Sequence, residues 1–191
     1  LFRSYHFSDG SDAGRDFTQP GLRINLRGEN LFGGAYSLRV KTRTRYTSRV
    51  VSEFSALPET EWRNRVYQFA LTYQDPRDRF SYALGRVPSA AVGGIGYIDG
   101  VVGSLHLGDH HRLGAFAGSQ PEWQYSDLNT SLTKYGLYYR YQQGDSQRGR
   151  FESTWALAGE YAGSEINREA AYVRNRYASG RFIFYQSAEL E

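Results

Sequence analysis

A row of cations lies on one side of the segment YSLRVKTRTRY, residues 36–46. In an extended strand, successive side chains point to opposite faces, so the row shares one face and apolar or aromatic residues take the other. It comprises Arg39, Lys41, Arg43 and Arg45, with Arg23 and Arg27 in the same pattern on the preceding segment. Such a face could line a watery lumen and favour anions or sugar hydroxyls. It could equally be a solvated sheet face, or a wall whose cations only pair with carboxylates.

A second charged set lies further along the chain. Glu152 and Glu160 lie on the same face of the predicted strand FESTWALAGEY, and Arg140 lies on the corresponding face of the strand before it. Opposed unlike charges on neighbouring strands stabilise a sheet by roughly 0.2–1 kcal/mol each. We therefore expect an Arg–Glu ladder on the same face as the cationic row, either as part of a pore lining or as a stiffening element.

Other reactive residue types are sparse. Asp109, His110 and His111 are adjacent, but neighbours in a tight turn splay apart and rarely converge on a metal. Ser104 and His106 share a parity, which raises a serine hydrolase as a distant alternative, yet no third member or oxyanion hole is evident. We therefore expect no catalytic residues, no metal and no cofactor.

A glycine-rich connection is the remaining site candidate. The segment VPSAAVGGIGYID carries Gly93, Gly94, Ile95 and Gly96. Glycine adopts backbone conformations that other residues disfavour. Small residues on the inward face of nearby predicted strands would leave room for an inserted loop; these are Ser81, Ala83, Gly85, Gly114 and Gly118. The four residues could form a constriction loop or a flexible surface loop. No Walker lysine follows, which argues against a phosphate cradle.

The composition excludes several classes of protein. The 191 residues contain no Cys and no Met, so disulfides, thiol catalysis and Cys-ligated metals are excluded. No run approaches the roughly 20 apolar residues of a membrane helix. The net charge of +3 is spread along the chain and not clustered in a basic helix, so we expect no nucleic-acid partner.

Alternation with a period of two predicts an all-β chain. We predict eleven strands near residues 1–8, 21–28, 35–46, 64–74, 79–86, 100–107, 112–119, 133–142, 151–161, 168–177 and 181–190. No segment shows a helical period over three turns. Several segments match the 9–11 residues of a tilted membrane-spanning strand.

The predicted connections alternate in length. The first, third, fifth and seventh are long, the second, fourth, sixth and eighth are short, the ninth (GSEINR) is intermediate and the tenth is very short. Long loops at one rim and tight turns at the other are typical of outer-membrane barrels. Both ends of a soluble sandwich face water, so its loops have no reason to differ in length between the two ends.

In these strands and connections the chain resembles the bacterial outer-membrane β-barrels of the porin-like class. The resemblance covers nearly the whole chain and implies an antiparallel up-and-down transmembrane barrel of about 10–12 strands. It implies passive passage of small polar or anionic solutes, or a barrel component of an envelope complex in the Gram-negative outer membrane. The implied partners are membrane lipid, lipopolysaccharide, other envelope proteins or further copies of the chain.

Two features qualify this expectation. An odd number of strands and the ending YQSAELE, which lacks a terminal aromatic residue, predict that residues 1–191 are part of a larger barrel or that one strand is false. The alternative fold is a soluble β-sandwich or calycin-like barrel that binds a ligand through a Tyr-rich face. Aromatic residues near strand ends would form two girdles in a membrane barrel; they are Tyr46, Trp62, Tyr73, Tyr97, Trp123, Tyr125, Tyr141 and Tyr161.

Overall fold

In a computed structural model of the protein, the described residues form eleven strands. The structure describes residues 1–8, 16–50, 58–89, 95–122, 128–145 and 148–191. The strands are β1 Phe2–Phe7, β2 Phe17–Leu31, β3 Tyr36–Arg49, β4 Thr60–Gln74, β5 Phe80–Pro88, β6 Tyr97–His106, β7 His111–Ser119, β8 Leu132–Asp145, β9 Gly149–Ala162, β10 Glu165–Ser179 and β11 Phe182–Leu190. None of the described residues belongs to a helix that could cross a membrane.

All eleven strands belong to one antiparallel sheet in which each strand pairs with its neighbours in sequence. The prediction of an all-β, up-and-down architecture is confirmed, and the possibility of a false strand was wrong. Within the described residues β1 pairs only with β2 and β11 only with β10, so the sheet has two edges. Because directions alternate in such a sheet, β1 and β11 run the same way.

The connections sort by length over the first eight hairpins. Long connections span residues 8–16, 50–59, 89–96 and 120–131, and short ones span 32–35, 75–79, 107–110 and 146–148. The ninth connection was predicted to be intermediate, but β10 already begins at Glu165, which leaves only residues 163–164. One end of the sheet therefore carries the four long connections and also the tight ninth turn, residues 163–164.

The two faces of the sheet differ sharply in chemistry. Directly paired residues share a face, and the pairs Leu38–Leu71, Leu84–Val101 and Leu137–Leu157 place apolar side chains on the same face across the sheet. We call this the apolar face. The pairs Arg23–Arg43 and Lys134–Glu160 belong to the opposite, polar face.

The large side chains of the apolar face are exposed. Leu137, Trp155 and Leu157 keep 59%, 55% and 64% of their surface accessible. The described residues form a single sheet, with no second layer packed on these rows. The expectation of a two-layered sandwich was therefore wrong, because a sandwich buries its apolar rows against each other.

Aromatic rings cluster near both ends of the apolar face. At the end with the long connections, ring centroids are 4.9 Å apart for Tyr46 and Trp62 and 4.6 Å apart for Tyr135 and Tyr161. At the other end they are 5.0 Å apart for Tyr36 and Tyr73, 5.3 Å for Tyr73 and Tyr82, and 6.3 Å for Tyr141 and Phe151. Of the predicted girdle residues, Tyr97 begins β6, and Trp123 and Tyr125 lie outside the described residues.

A small apolar core lies on the polar face. Its buried members are Ile95, Ile98, Phe116, Tyr138 and Ala156. Two of the small residues that were predicted to leave room for a loop lie against core side chains. A Cβ on Gly114 would lie 2.2 Å from Tyr138 Cζ, and one on Gly118 would lie 2.5 Å from Ile98 Cγ2.

Gly114→Ala is therefore expected to lower the free energy of unfolding by about 1–3 kcal/mol, the usual cost of overpacking. Urea unfolding followed by tryptophan fluorescence would measure the change. Gly103→Ala is the matched control, because its Cβ would meet Phe80 only at an ordinary 3.6 Å. Equal stability of the two variants would contradict the packing described for Tyr138.

Candidate functional site

The cationic row predicted on β2 and β3 forms a patch on the polar face together with two residues of β4. Three rows of opposed cations cross the strands: Arg23–Arg43–Arg65, Arg27–Arg39 and Arg45–Arg63. Lys41 lies between Asn25 and Gln68. We call this set the cationic patch; it consists of Arg23, Arg27, Arg39, Lys41, Arg43, Arg45, Arg63 and Arg65.

Sequence reasoning missed Arg63 and Arg65 because of a β-bulge in β4. Thr42 pairs with Val66 and Lys41 pairs with Gln68, so Tyr67 is one extra residue in β4. Beyond a bulge of this kind, the residues expected on one face of the sheet lie on the other face. Without the bulge, a period of two continued from Phe69 would place both arginines on the apolar face. The alternation of Glu61, Arg63 and Arg65 was the available signal.

Few carboxylates offset the charge of this patch. Glu29 pairs with Arg27, and Glu61 pairs with Arg63 and also with Arg49. Arg45 donates a 3.5 Å hydrogen bond to Gln19 Oε1. In the part of the chain that the structure describes, the other members form no ion pair; they are Arg23, Arg39, Lys41, Arg43 and Arg65. Opposed like charges destabilise a sheet, and anions beside the patch would reduce this repulsion. The patch is therefore suited to holding or passing anions.

The predicted Arg–Glu ladder forms in part. Arg140 Nε lies 3.6 Å from Glu152 Oε1, and Arg150 Nη2 lies 3.5 Å from Glu152 Oε2. Glu160, however, pairs with Lys134, whose Nζ is 2.8 Å away. This end of the polar face thus carries paired charges, unlike the cationic patch.

Lys134 also holds part of the predicted constriction loop. Its Nζ donates a 2.8 Å hydrogen bond to the carbonyl of Ile95, and Lys134 keeps only 4% of its surface accessible. Ile95 is 2% exposed within the apolar core, and Gly96 follows with a φ of 71°. Gly93 and Gly94 lie outside the described residues. Sequence reasoning missed this role of Lys134, because no local pattern reports a contact 39 positions away.

A second buried ion pair was also missed. Arg86 Nε donates to Asp99 Oδ1 at 2.6 Å, and both side chains are less than a tenth exposed. Arg86 Nη1 donates a further 2.8 Å hydrogen bond to the carbonyl of Val66. The residues stand opposite each other on β5 and β6, so the pairing of these strands brings them together.

Within the described ranges, the reactive residue types do not assemble into a site. Ser104 Oγ lies 2.8 Å from Ser81 Oγ, whereas His106 contacts Arg112 and the carbonyl of Arg79. His110 donates to the carbonyl of Gln142 at 3.0 Å, and His111 Nδ1 lies 2.6 Å from the hydroxyl of Tyr139. Among the described residues no three His, Asp or Glu side chains are placed to hold a metal.

The polar face therefore divides into two regions. The strands β2 to β4 present largely unpaired cations, while β6 to β9 present the buried Lys134–Glu160 pair and a packed apolar core. The first region can attract anions, and the second is filled by protein. Comparison with models of protein families, with curated proteins and with solved structures finds no match for this chain.

Proposed function

We propose that this chain forms the wall of an outer-membrane β-barrel of porin type, which lets small polar or anionic solutes pass. The observation that carries this proposal is the exposed apolar face, whose rows run across the sheet from β2 to β10. A contiguous apolar surface of this extent is rare on soluble monomers. Hydrocarbon is a natural solvent for it, since each strand then contacts lipid on one face and water on the other.

The spacing of the aromatic rings supports a membrane location. On β3 the aromatic residues of the two ends, Tyr36 and Tyr46, are ten positions apart, and the same holds for Phe151 and Tyr161 on β9. At about 3.3 Å per residue this is about 33 Å along a strand. A tilt of about 40° reduces it to a height of about 25 Å, which is the apolar band of transmembrane barrels.

A barrel also requires that the two edges of the sheet be paired, because unpaired backbone groups cannot face hydrocarbon. β1 and β11 would satisfy this by pairing with each other in parallel, or by pairing with further strands. Either closure would place the polar face inside. The cationic patch would then line one side of the lumen, and the Ile95 core would narrow the other.

Tryptophan quenching by lipid tests the membrane location. In a variant with Trp62→Phe and Trp123→Phe, only Trp155 of the apolar face remains. We expect phosphatidylcholine brominated on its acyl chains to quench this residue strongly in reconstituted vesicles, because its ring would lie in hydrocarbon.

The control introduces Arg39→Trp into a variant whose three native tryptophans are replaced by Phe. Position 39 is exposed on the polar face, so aqueous acrylamide should quench this tryptophan and brominated lipid should not. A folded monomer that stays in detergent-free buffer, with Trp155 insensitive to brominated lipid, would refute the proposed function.

A further inference from the structure

The sheet splits between β4 and β5 at the end that carries the long connections. β4 pairs with β3 from Thr60 to Tyr73 but with β5 only from Phe69 to Gln74. Beyond the Phe69–Arg86 pair, β5 continues beside β6 alone, as far as Pro88. In the described part of the chain, the ladder between β4 and β5 therefore covers only Phe69 to Gln74 of β4.

Arg86 and Gly85 lie where the two strands separate. Gly85 has a φ of 109°, a conformation that favours glycine, and a Cβ there would lie 2.1 Å from the carbonyl oxygen of Phe69. Arg86 then donates to the carbonyl of Val66. A side chain thus satisfies a backbone acceptor of β4 at the point where the ladder with β5 ends.

An open cavity lies beside the split. It measures about 440 Å³ and is lined by Val66, Phe69, Gly85, Arg86, Asp99, Gly100 and Leu128. Val66 and Phe69 belong to the apolar face, and Phe69 is 54% exposed. Trp62, which lies on β4 beyond the end of the ladder with β5, is exposed on the same face. The apolar side of the split can therefore receive a hydrocarbon chain.

Arg65 lies at the polar side of the same split. It ends the row Arg23–Arg43–Arg65, since no residue of β5 pairs with it. Its Nε is buried and has no hydrogen-bond partner among the described residues. Buried donors are nearly always satisfied, and a charged guanidinium beside other cations is best satisfied by an anion.

We propose that the split between β4 and β5 binds a single-chain anionic amphiphile, specifically a long-chain carboxylate. Its carboxylate accepts hydrogen bonds from Arg65 on the polar face, and its tail leaves between the strands to the cavity on the apolar face. The inference rests on the proposed function, because the tail requires lipid on the apolar face.

Fluorescence of Trp62 tests this site. Trp123→Phe and Trp155→Phe leave Trp62 as the only tryptophan, and the protein is reconstituted in phosphatidylcholine vesicles. We expect 9,10-dibromostearate to quench Trp62 in a saturable manner. Arg65→Gln should raise the half-saturating concentration about tenfold, because a charge-assisted hydrogen bond is lost, and Arg65→Lys should have a smaller effect.

Two controls isolate the carboxylate and the position. Arg148→Gln removes the same charge at a short turn, outside the cationic patch and away from the split, and should leave the half-saturating concentration unchanged. Methyl dibromostearate, which has no anionic head, should quench without saturation. Equal half-saturation for Arg65→Gln and the unmodified chain, or saturable quenching by the methyl ester, would overturn the inference.

The test also separates failure of this site from failure of the proposed function. If brominated phosphatidylcholine quenches Trp155 but Arg65→Gln changes nothing, the amphiphile site is wrong and the membrane location stands. If Trp155 is not quenched by that lipid, the membrane location is wrong, and the inference about the split is overturned with it.

Discussion

Replacing Arg39, Arg43 and Arg45 together with Ser is expected to shift ion selectivity in planar bilayers from anions towards cations. These residues belong to the cationic patch and form no ion pair among the described residues. Unpaired charges on a lumen wall raise the local concentration of counter-ions. We expect the anion-to-cation permeability ratio, obtained from the reversal potential in a KCl gradient, to fall roughly tenfold.

The control removes the same charge outside the patch. Arg77→Ser, Arg79→Ser and Arg148→Ser change residues of the short turns 75–79 and 146–148, and their combination should leave the reversal potential nearly unchanged. A reversal potential unaffected by the first triple substitution would remove the patch from the conduction path. Folded protein that shows no discrete conductance steps would indicate a sealed barrel.

Lys134→Met is expected to lower the free energy of unfolding by about 3–5 kcal/mol, the usual cost of removing one member of a buried ion pair. The substitution leaves Glu160, whose side chain is only 13% exposed, without its Lys134 partner. It also removes the hydrogen bond to the Ile95 carbonyl. Urea titration in lipid vesicles, with tryptophan fluorescence as the signal, measures the change.

The double variant Lys134→Met with Glu160→Leu separates the two contributions. Replacing both charges by apolar groups is often close to neutral, so this variant should regain most of the lost stability. Its conductance should still differ from that of the unmodified chain, because Ile95 has lost its anchor. A loss below about 1 kcal/mol for Lys134→Met alone would contradict a buried pair.

The two regions of the polar face suggest how one wall serves two purposes. The β2–β4 region keeps its cations unpaired, at a cost to sheet stability that anions in the lumen would offset. The β6–β9 region offsets that cost locally with the buried Lys134–Glu160 pair and a packed core. We expect the solute path to run along the cationic patch, away from Ile95.

Local chemistry explains why so much of the fold was predictable. The period of two in segments such as residues 36–46 depends only on backbone geometry. It identified all eleven strands and the face that carries the cationic row of β2 and β3. Strand ends were less well predicted: β2 begins at Phe17 and β4 at Thr60, earlier than expected at residues 21 and 64. The ends carry polar residues that alternate weakly, and pairing with β3 extends both strands.

The candidate site was predicted only where its members follow one strand pattern. Arg39, Lys41, Arg43 and Arg45 were visible as a row, whereas Arg63 and Arg65 reach the same face through the Tyr67 bulge. The ladder was predicted from Arg140, Glu152 and Glu160; Arg140 lies beside Glu152, whereas Glu160 pairs with Lys134. Several arginines and one lysine lie on the same face as Glu160. Only the register between the strands determines which of them becomes its partner.

Sequence alone determined three properties: apolar and polar residues alternate along the strands, the two faces of the sheet differ in polarity, and the first eight connections alternate between long and short. Each property follows from residues that are neighbours in the chain. Tertiary structure decided the register, the bulge that completes the cationic patch, the burial of Ile95 under Lys134 and the split between β4 and β5. These depend on contacts between distant residues, where a shift of one position exchanges every side chain between the two faces.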